Sequence, residues 1–139
     1  MLSCSRLISI LVLCATISIT AYAQEDGDGG AAAQPIYIPL EPAFVVNYGG
    51  VGRLKYLKAE LTVRVESGDA AAAVRHHMPF IRNNIVLLFS KQTDEELETQ
   101  VGKEALRQAA LEEIRNILLT ESAQEGVVDL YFENFIVQR

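Results

Sequence analysis

The residues of this chain that could act on a substrate or a metal are few, and their spacing argues against catalysis. The two histidines, His76 and His77, are adjacent in the sequence. Adjacent side chains on a helix point about 100° apart, whereas a helical zinc site uses two histidines four positions apart on one face. We therefore predict an exposed helix end at this pair rather than a metal site.

A second cluster, Asp94-Glu95-Glu96, offers carboxylates that a hard cation could use. However, Thr93 with Glu96 three residues later forms a capping-box pattern, and acidic side chains are electrostatically favoured in the first turn of a helix. The cluster therefore predicts the start of a helix without a bound cation.

Two further motifs could suggest an enzyme. Residues 49–52, Gly-Gly-Val-Gly, resemble a phosphate-binding loop, but no helix pattern follows them and no lysine–hydroxyl pair completes a P-loop. Ser67, Ser90 and Ser122 lie outside the Gly-x-Ser-x-Gly setting that a hydrolase nucleophile uses. We predict a chain without catalytic activity, cofactor, metal or small-molecule substrate.

The first 23 residues have the composition of a targeting segment. A single charge, Arg6, precedes an uncharged run that begins at Leu7, and Ala21-Tyr22-Ala23 places small residues where a signal peptidase needs them. Cleavage between Ala23 and Gln24 is one interpretation. The other is an uncleaved membrane anchor, because the uncharged run is close to the ~17 residues at the lower limit for a membrane span.

The rest of the chain is acidic and lacks cysteine. Cys4 and Cys14 both lie in the targeting segment, so the exported part can hold no disulfide or thiol nucleophile. The chain has a formal net charge of −6 at pH 7, which disfavours nucleic acid as a partner. Residues 24–34 have the composition of a flexible linker, and residues 35–139 suffice for one domain with a single core.

The domain is predicted to be α+β, with a small antiparallel sheet covered by helices in the order strand, strand, helices, strand. The proline-containing segment 36–42 is extended, and residues 44–48 begin the sheet. From Leu57 to Val65 apolar and polar residues alternate, which predicts a strand with one buried face. Residues 44–48 and 54–65 therefore form a predicted hairpin.

Helical patterns follow the hairpin. Residues 70–77 form the first predicted helix, with Asp69 as its cap. Pro79 suits the first turn of a second helix, which continues to Phe89. The run Ile85–Phe89 alone could also be a strand, although its spacing with the preceding residues favours a helix.

The longest predicted helix runs from Val101 to about Leu119, and a closing strand follows at residues 127–137. One face of this helix is apolar and would lie on the sheet. That predicted stripe consists of Val101, Ala105, Leu106, Ala109, Ile114, Ile117 and Leu118.

Arg82-Asn83-Asn84 is the candidate interface of the chain. Polar residues near the start of an otherwise apolar helix can face another subunit. The alternative is solvent exposure with local capping, and the sequence leaves both interpretations open.

Several sequence blocks, taken together, resemble the FliL family, single-pass flagellar basal-body proteins of bacteria. Their order and spacing span about residues 36–139. The blocks are Tyr37-Ile38-Pro39-Leu40-Glu41-Pro42-Ala43-Phe44-Val45-Val46-Asn47, Arg53-Leu54-Lys55-Tyr56-Leu57-Lys58, Pro79-Phe80-Ile81-Arg82-Asn83-Asn84-Ile85 with Leu87-Leu88-Phe89-Ser90, Gly102-Lys103-Glu104-Ala105-Leu106-Arg107, and residues 128–138.

The resemblance implies a stomatin-like (SPFH-like) domain in the periplasm, held at the inner membrane and assembled into a homo-oligomeric ring around the stator units of the flagellar motor. It also implies a non-catalytic role in torque, swarming and the control of rotation in chemotaxis. The start of the chain departs from the family pattern, since the apolar run is short and ends like a peptidase site. A generic periplasmic adaptor that binds another envelope protein is the alternative function.

Overall fold

The computed structural model describes residues 34–139 except Val51 and Arg53. The predicted cleavage site at Ala23 and Gln24, and nearly all of the predicted linker, lie outside the described residues. The elements of the described chain are, in order, β1 (Ile36–Pro39), β2 (Phe44–Tyr48), β3 (Lys55–Val65), α1 (Gly68–His76), α2 (Met78–Ser90), α3 (Asp94–Glu98), α4 (Gln100–Ser122) and β4 (Val127–Gln138). The predicted α+β class with a small antiparallel sheet is confirmed.

The sheet is built around β3, which is antiparallel to every other strand. β4 follows one edge of β3, from Val65 opposite Val127 to Tyr56 opposite Gln138. Because a strand has only two edges, β1 and β2 share the other edge and lie end to end along it. The predicted hairpin of residues 44–48 and 54–65 is therefore confirmed, and the extended segment before it contributes a strand of its own.

The helices cover one face of the sheet, and a single core lies between the two layers. The strict alternation in β3 directs Leu57, Ala59, Leu61, Val63 and Val65 into this core. Ile81, Ile85 and Phe89 of α2 meet them from the helical layer, and the Phe89 ring packs edge-on against Phe44 with 5.9 Å between centroids. The other face of the sheet has no helix of the described chain on it.

The starts of α1 and α2 follow different rules. The Ser67 hydroxyl accepts a hydrogen bond from the Ala70 N–H at 3.1 Å, so the predicted Asp69 cap is wrong. Asp69 instead lies in the first turn of α1, where a negative charge suits the helix dipole. α2 begins at Met78 with Pro79 in its first turn, as predicted, and the run Ile85–Phe89 is helical.

The buried face of α4 differs from the predicted stripe. Leu106, Ile114, Ile117 and Leu118 are buried as expected. Val101 is 81% exposed, and Ala105 and Ala109 are exposed too. At Val101 the reason is that the first turn of α4 crosses α3, where Gly102 lies against the backbone of Glu96. Further along the helix, Ala110 and Leu111 are buried in place of Ala105 and Ala109.

Two β-bulges interrupt β4. Asn134 lies opposite Glu60 and Phe132 opposite Leu61, so Glu133 is the extra residue of the first bulge, and the second falls at Val128. Each bulge reverses the face on which the following side chains point. The inward residues of β4 therefore do not alternate strictly; they are Val127, Leu130, Phe132, Phe135 and Val137.

Candidate interaction surfaces

Arg82, the first residue of the predicted interface, faces the inside of the domain. Its Nη1 donates to the carbonyl oxygen of Leu40 at 2.6 Å, and its guanidinium lies 4.2 Å from the ring centroid of Phe44. Burial lowers the pKa of Arg82, because the charged form loses water. Arg82 thus ties α2 to the chain between β1 and β2.

The two asparagines lie on other sides of the same helix. Asn83 is exposed, while Asn84 is half-buried and donates from Nδ2 to the carbonyl oxygen of Phe80 at 3.0 Å. The structure therefore separates the predicted triplet: Arg82 packs inward, and Asn83 and Asn84 remain on the outer side of α2. The interface role of all three stays a prediction.

The outer side of α2 carries a stripe of residues that sequence reasoning did not single out. Phe80 is 46% exposed and Leu87 is 49% exposed, with Asn84 between them and Lys91 at the end. The spacing of i, i+4, i+7 and i+11 places all four on one helical face. The sequence feature that could have indicated this stripe is the presence of apolar residues on both the buried side and the outer side of α2. We call Phe80, Asn84, Leu87 and Lys91 the outer stripe.

The uncovered face of the sheet carries a second apolar surface. Val45, Lys58 and Ile136 lie opposite one another across three strands, and Tyr56 and Gln138 form the next row. These five residues line a shallow groove of about 330 Å³. Val45 is 67% exposed. We call the groove formed by these five residues the sheet groove.

The acidic cluster at α3 has two distinct structural roles. The predicted capping box is confirmed: the Glu96 N–H donates to the Thr93 hydroxyl, and the Thr93 N–H donates to Glu96 Oε2 at 2.7 Å. Asp94 instead forms an ion pair with Lys55 and accepts a hydrogen bond from the Tyr48 hydroxyl at 3.1 Å. The hydrogen bond from Lys55 is the main reason why the pKa of Asp94 is lowered.

A network around Arg107 joins α4 to β4. Its guanidinium binds both carboxylate oxygens of Glu104, at 2.6 and 2.8 Å, pairs with Asp129 and donates to the carbonyl oxygen of Leu130 at 3.0 Å. The hydrogen bonds from Arg107 lower the pKa of Glu104 to about 2. Desolvation opposes a lower pKa for Asp129, but the Leu130 N–H and Arg107 outweigh it.

The network provides hydrogen-bond partners for the backbone N–H and carbonyl of Leu130 at the outer edge of β4. The Leu130 N–H donates to Asp129 Oδ1 at 2.8 Å, and its carbonyl accepts from Arg107. Arg115 donates in the same way to the carbonyl oxygens of Val127 and Val128, at 3.0 and 2.9 Å. Side chains of α4 thus take the place of a neighbouring strand along the first part of β4.

The remaining sequence candidates lie apart from these surfaces. His76 and His77 are at the junction of α1 and α2, with their ring centroids 4.8 Å apart. Gly49 and Gly50 both have positive φ in the turn between β2 and β3, with no helix after them. Within the described part of the chain, no three histidine, cysteine or acidic side chains are arranged to hold a metal ion.

An open cleft of about 620 Å³ lies where β1 gives way to β2 along the edge of β3. Three carboxylates, from Glu41, Glu60 and Glu133, border it together with Pro39 and Pro42. Glu133 accepts a hydrogen bond from the Thr62 hydroxyl. The acidic cleft is therefore on the same side of the sheet as the sheet groove, one row further along β3.

Among the helices of residues 34–139, none is both long and apolar enough to cross a membrane.

Comparison with known proteins places these features in a family. The family model described as flagellar basal body-associated protein FliL matches residues 37–138. The flagellar protein FliL of Aquifex aeolicus is 30% identical over 103 residues, which are 74% of this chain and 62% of that protein. The FliL proteins of Escherichia coli K12 and Shigella flexneri are each 26% identical over 104 residues, 75% of this chain and 66% of theirs. This chain belongs to the FliL family of flagellar basal body-associated proteins.

Proposed function

We propose that this chain is a non-catalytic accessory protein of the flagellar motor, which associates with the stator at the basal body and supports rotation, swarming and the control of rotation in chemotaxis. The observation that carries the proposal is the extent of the family match, because residues 37–138 include every strand and helix described above except Ile36, the first residue of β1. The chain spans 62% of the length of its Aquifex relative.

The proposed setting is the periplasmic side of the inner membrane, with a stomatin-like domain assembled into a homo-oligomeric ring. The N-terminal segment either anchors the domain or is removed after Ala23. What supports assembly is the pair of exposed apolar surfaces on opposite faces of the domain, since a contiguous exposed apolar patch marks an interaction surface.

A clean deletion tests the proposed role. We expect the deletion strain to assemble a normal number of flagella, counted by electron microscopy, and to lose swarming on a surface where the motor works under load. Expression of the intact chain from a plasmid should restore swarming. Normal swarming of the deletion strain would overturn the proposal.

Crosslinking in cells separates a motor accessory from a generic periplasmic adaptor. A photo-crosslinking residue at exposed Asn83, on the outer side of α2, should capture stator proteins. The same residue at Glu121, an exposed position near the end of α4, is the control for random collisions. Capture of a different envelope protein in place of stator components would favour the adaptor.

A further inference from the structure

The outer edge of β4 is protected along only part of its length. In the described part of the chain β4 pairs with β3 alone, and the hydrogen bonds from Arg107 and Arg115 to its outer edge end at Leu130. Backbone groups along a strand point alternately to its two edges, and the extra residue Glu133 shifts this alternation. The outward groups beyond Leu130 therefore belong to Phe132, Phe135 and Val137.

Burial of the side chains changes at the same point of β4. Val127 and Leu130, which face the core in the protected part, are 6% and 0% exposed. Phe132, Phe135 and Val137 face the core as well, but they are only half-buried. A further strand beside β4 would cover these side chains, because residues opposite one another on adjacent strands are in contact. This part of the edge thus lacks both a hydrogen-bonding neighbour and apolar cover.

A cleft of about 300 Å³ lies between this edge and the first turns of α4. The rings of Tyr131 and Phe135 line its strand side, and Lys103 on its helix side has its Nζ 5.5 Å from the ring centroid of Phe135. Arg107 also borders the cleft but is already held by two carboxylates. Lys103 is half-buried, and no carboxylate of the described residues forms an ion pair with it. The cleft is therefore suited to an acidic side chain.

We propose that the edge of β4 from Phe132 to Val137 binds an extended segment of a partner protein, which joins the sheet as a further strand and places a carboxylate against Lys103. The outward backbone groups require an extended occupant, and the cleft requires one with apolar and acidic side chains. Pairing with β4 of a second copy would not supply the acid, because residues 134–139 contain none. The proposal goes beyond the motor role and does not depend on which protein supplies the segment.

A synthetic strand tests the site on the full-length chain. The probe is a capped peptide of alternating valine and glutamate, as long as the segment from Tyr131 to Gln138, and amide hydrogen exchange is followed by NMR. In the chain alone, the amides of Phe135 and Val137 should exchange quickly, while those of Asn134 and Ile136, which face β3, exchange slowly. The probe should slow exchange at Phe135 and Val137 by roughly tenfold or more.

Two results of this exchange experiment would overturn the proposal. One is unchanged exchange at Phe135 and Val137 with the probe in excess. The other is slow exchange at both amides before the probe is added, because the chain would then cover this edge itself or with a second copy.

Lys103→Glu tests the charge of the partner segment. The parent chain should bind the valine–glutamate probe roughly tenfold more tightly than a valine–lysine probe, and Lys103→Glu should reverse this preference. The net charge of −6 by itself favours the lysine probe, so the test is strict. Lys91→Glu, the same change at an exposed position, should keep the parent's preference. Since only a folded variant can bind the lysine probe, the reversal separates a charge effect from unfolding. Equal affinity of the parent chain for the two probes would overturn the assignment of an acidic partner.

Backbone methylation separates strand addition from a contact made by side chains alone. A strand presents alternate N–H groups to its two edges, so methyl groups on only the valine nitrogens, or only the glutamate nitrogens, block one edge of the probe. One of these two methylated probes should bind like the parent probe and the other roughly tenfold more weakly, the loss expected from two missing hydrogen bonds. Full affinity of both methylated probes would overturn the proposal.

Discussion

Gly102 shows how one missing side chain sets the position of a helix. A Cβ built on Gly102 would lie closer than 3.0 Å to the carbonyl oxygen of Glu96, a backbone atom that cannot move aside. We expect Gly102→Ala to lower the free energy of unfolding by about 1–3 kcal/mol, the usual cost of overpacking. The shift of the urea unfolding midpoint, followed by circular dichroism, measures this cost.

Gly68 offers the matched control for that substitution. A Cβ at Gly68 would meet no atom within 4 Å, and its φ lies outside the left-handed region. Gly68→Ala should therefore leave stability unchanged or raise it by up to about 1 kcal/mol, because alanine restricts the unfolded chain. Equal effects at the two glycines would contradict the close approach of α3 and α4.

Arg82 is a structural residue within a segment that looked like an interface. Arg82→Ala removes the hydrogen bond to Leu40 and the contact with the Phe44 ring. We expect a loss of about 1–3 kcal/mol in the free energy of unfolding. Asn83→Ala, on the exposed side of the same helix, should stay within about 0.5 kcal/mol. A chemical denaturation series of the two variants checks the difference.

Sequence reasoning succeeded where one rule acts alone on an element. The alternation of Leu57 to Val65 predicted β3 because one face of that strand is dry, and the pattern of Thr93 and Glu96 predicted a capping box that is local by nature. It failed where packing against a neighbouring element determines which side chains are buried. The stripe of α4 was misplaced at Val101 because α3, and not the sheet, lies beneath the first turn.

The bulges of β4 and the inward turn of Arg82 were not predictable for a related reason. The residue type at Glu133 does not distinguish a bulge from a regular strand position. The bulge exists only because of how β4 pairs with β3. Likewise, Arg82 is polar in the sequence but faces inward because a carbonyl group from a distant loop and the Phe44 ring receive it. Both features arise from tertiary contacts.

The ion pairs of Arg107 with Glu104 and Asp129 make the stability of the contact between α4 and β4 sensitive to acid. The pKa of Glu104 is lowered to about 2 in the folded state, below its ordinary value of 4.5. A lowered folded-state pKa stabilises the protein above the unfolded value, and this contribution is lost as the pH falls from about 4.5 toward 2. Asp129 has a lowered pKa as well, so it loses its contribution in the same direction.

Glu104→Gln tests this pH dependence. We expect the variant to have a lower urea midpoint than the parent at about pH 7, and the difference to shrink as the pH approaches about 2.5, where the parent carboxylate is becoming protonated. Glu121→Gln, which removes the same charge from an exposed position on α4, controls for net charge. A constant gap between parent and variant at every pH would argue against the ion pair.

At the scale of the whole molecule, the domain separates the surfaces that hold it together from those that face outward. Leu87 has no role in the core, so Leu87→Glu should leave the unfolding temperature of the domain close to that of the parent. In the deletion strain, we expect plasmid-borne Leu87→Glu to restore swarming poorly and Leu119→Glu to restore it fully. Equal colony spreading by the two variants, at equal protein levels on immunoblots, would show that the outer stripe is not needed for motor function.

The short strand β1 has a mechanical consequence at the N-terminal end of the described residues. Only four residue pairs, from Ile36–Val65 to Pro39–Thr62, join β1 to β3. A pulling force applied at that end is borne first by this short ladder, while β4 pairs with β3 from Tyr56 to Val65. We therefore expect β1 to detach from β3 under a pulling force before β3 and β4 separate.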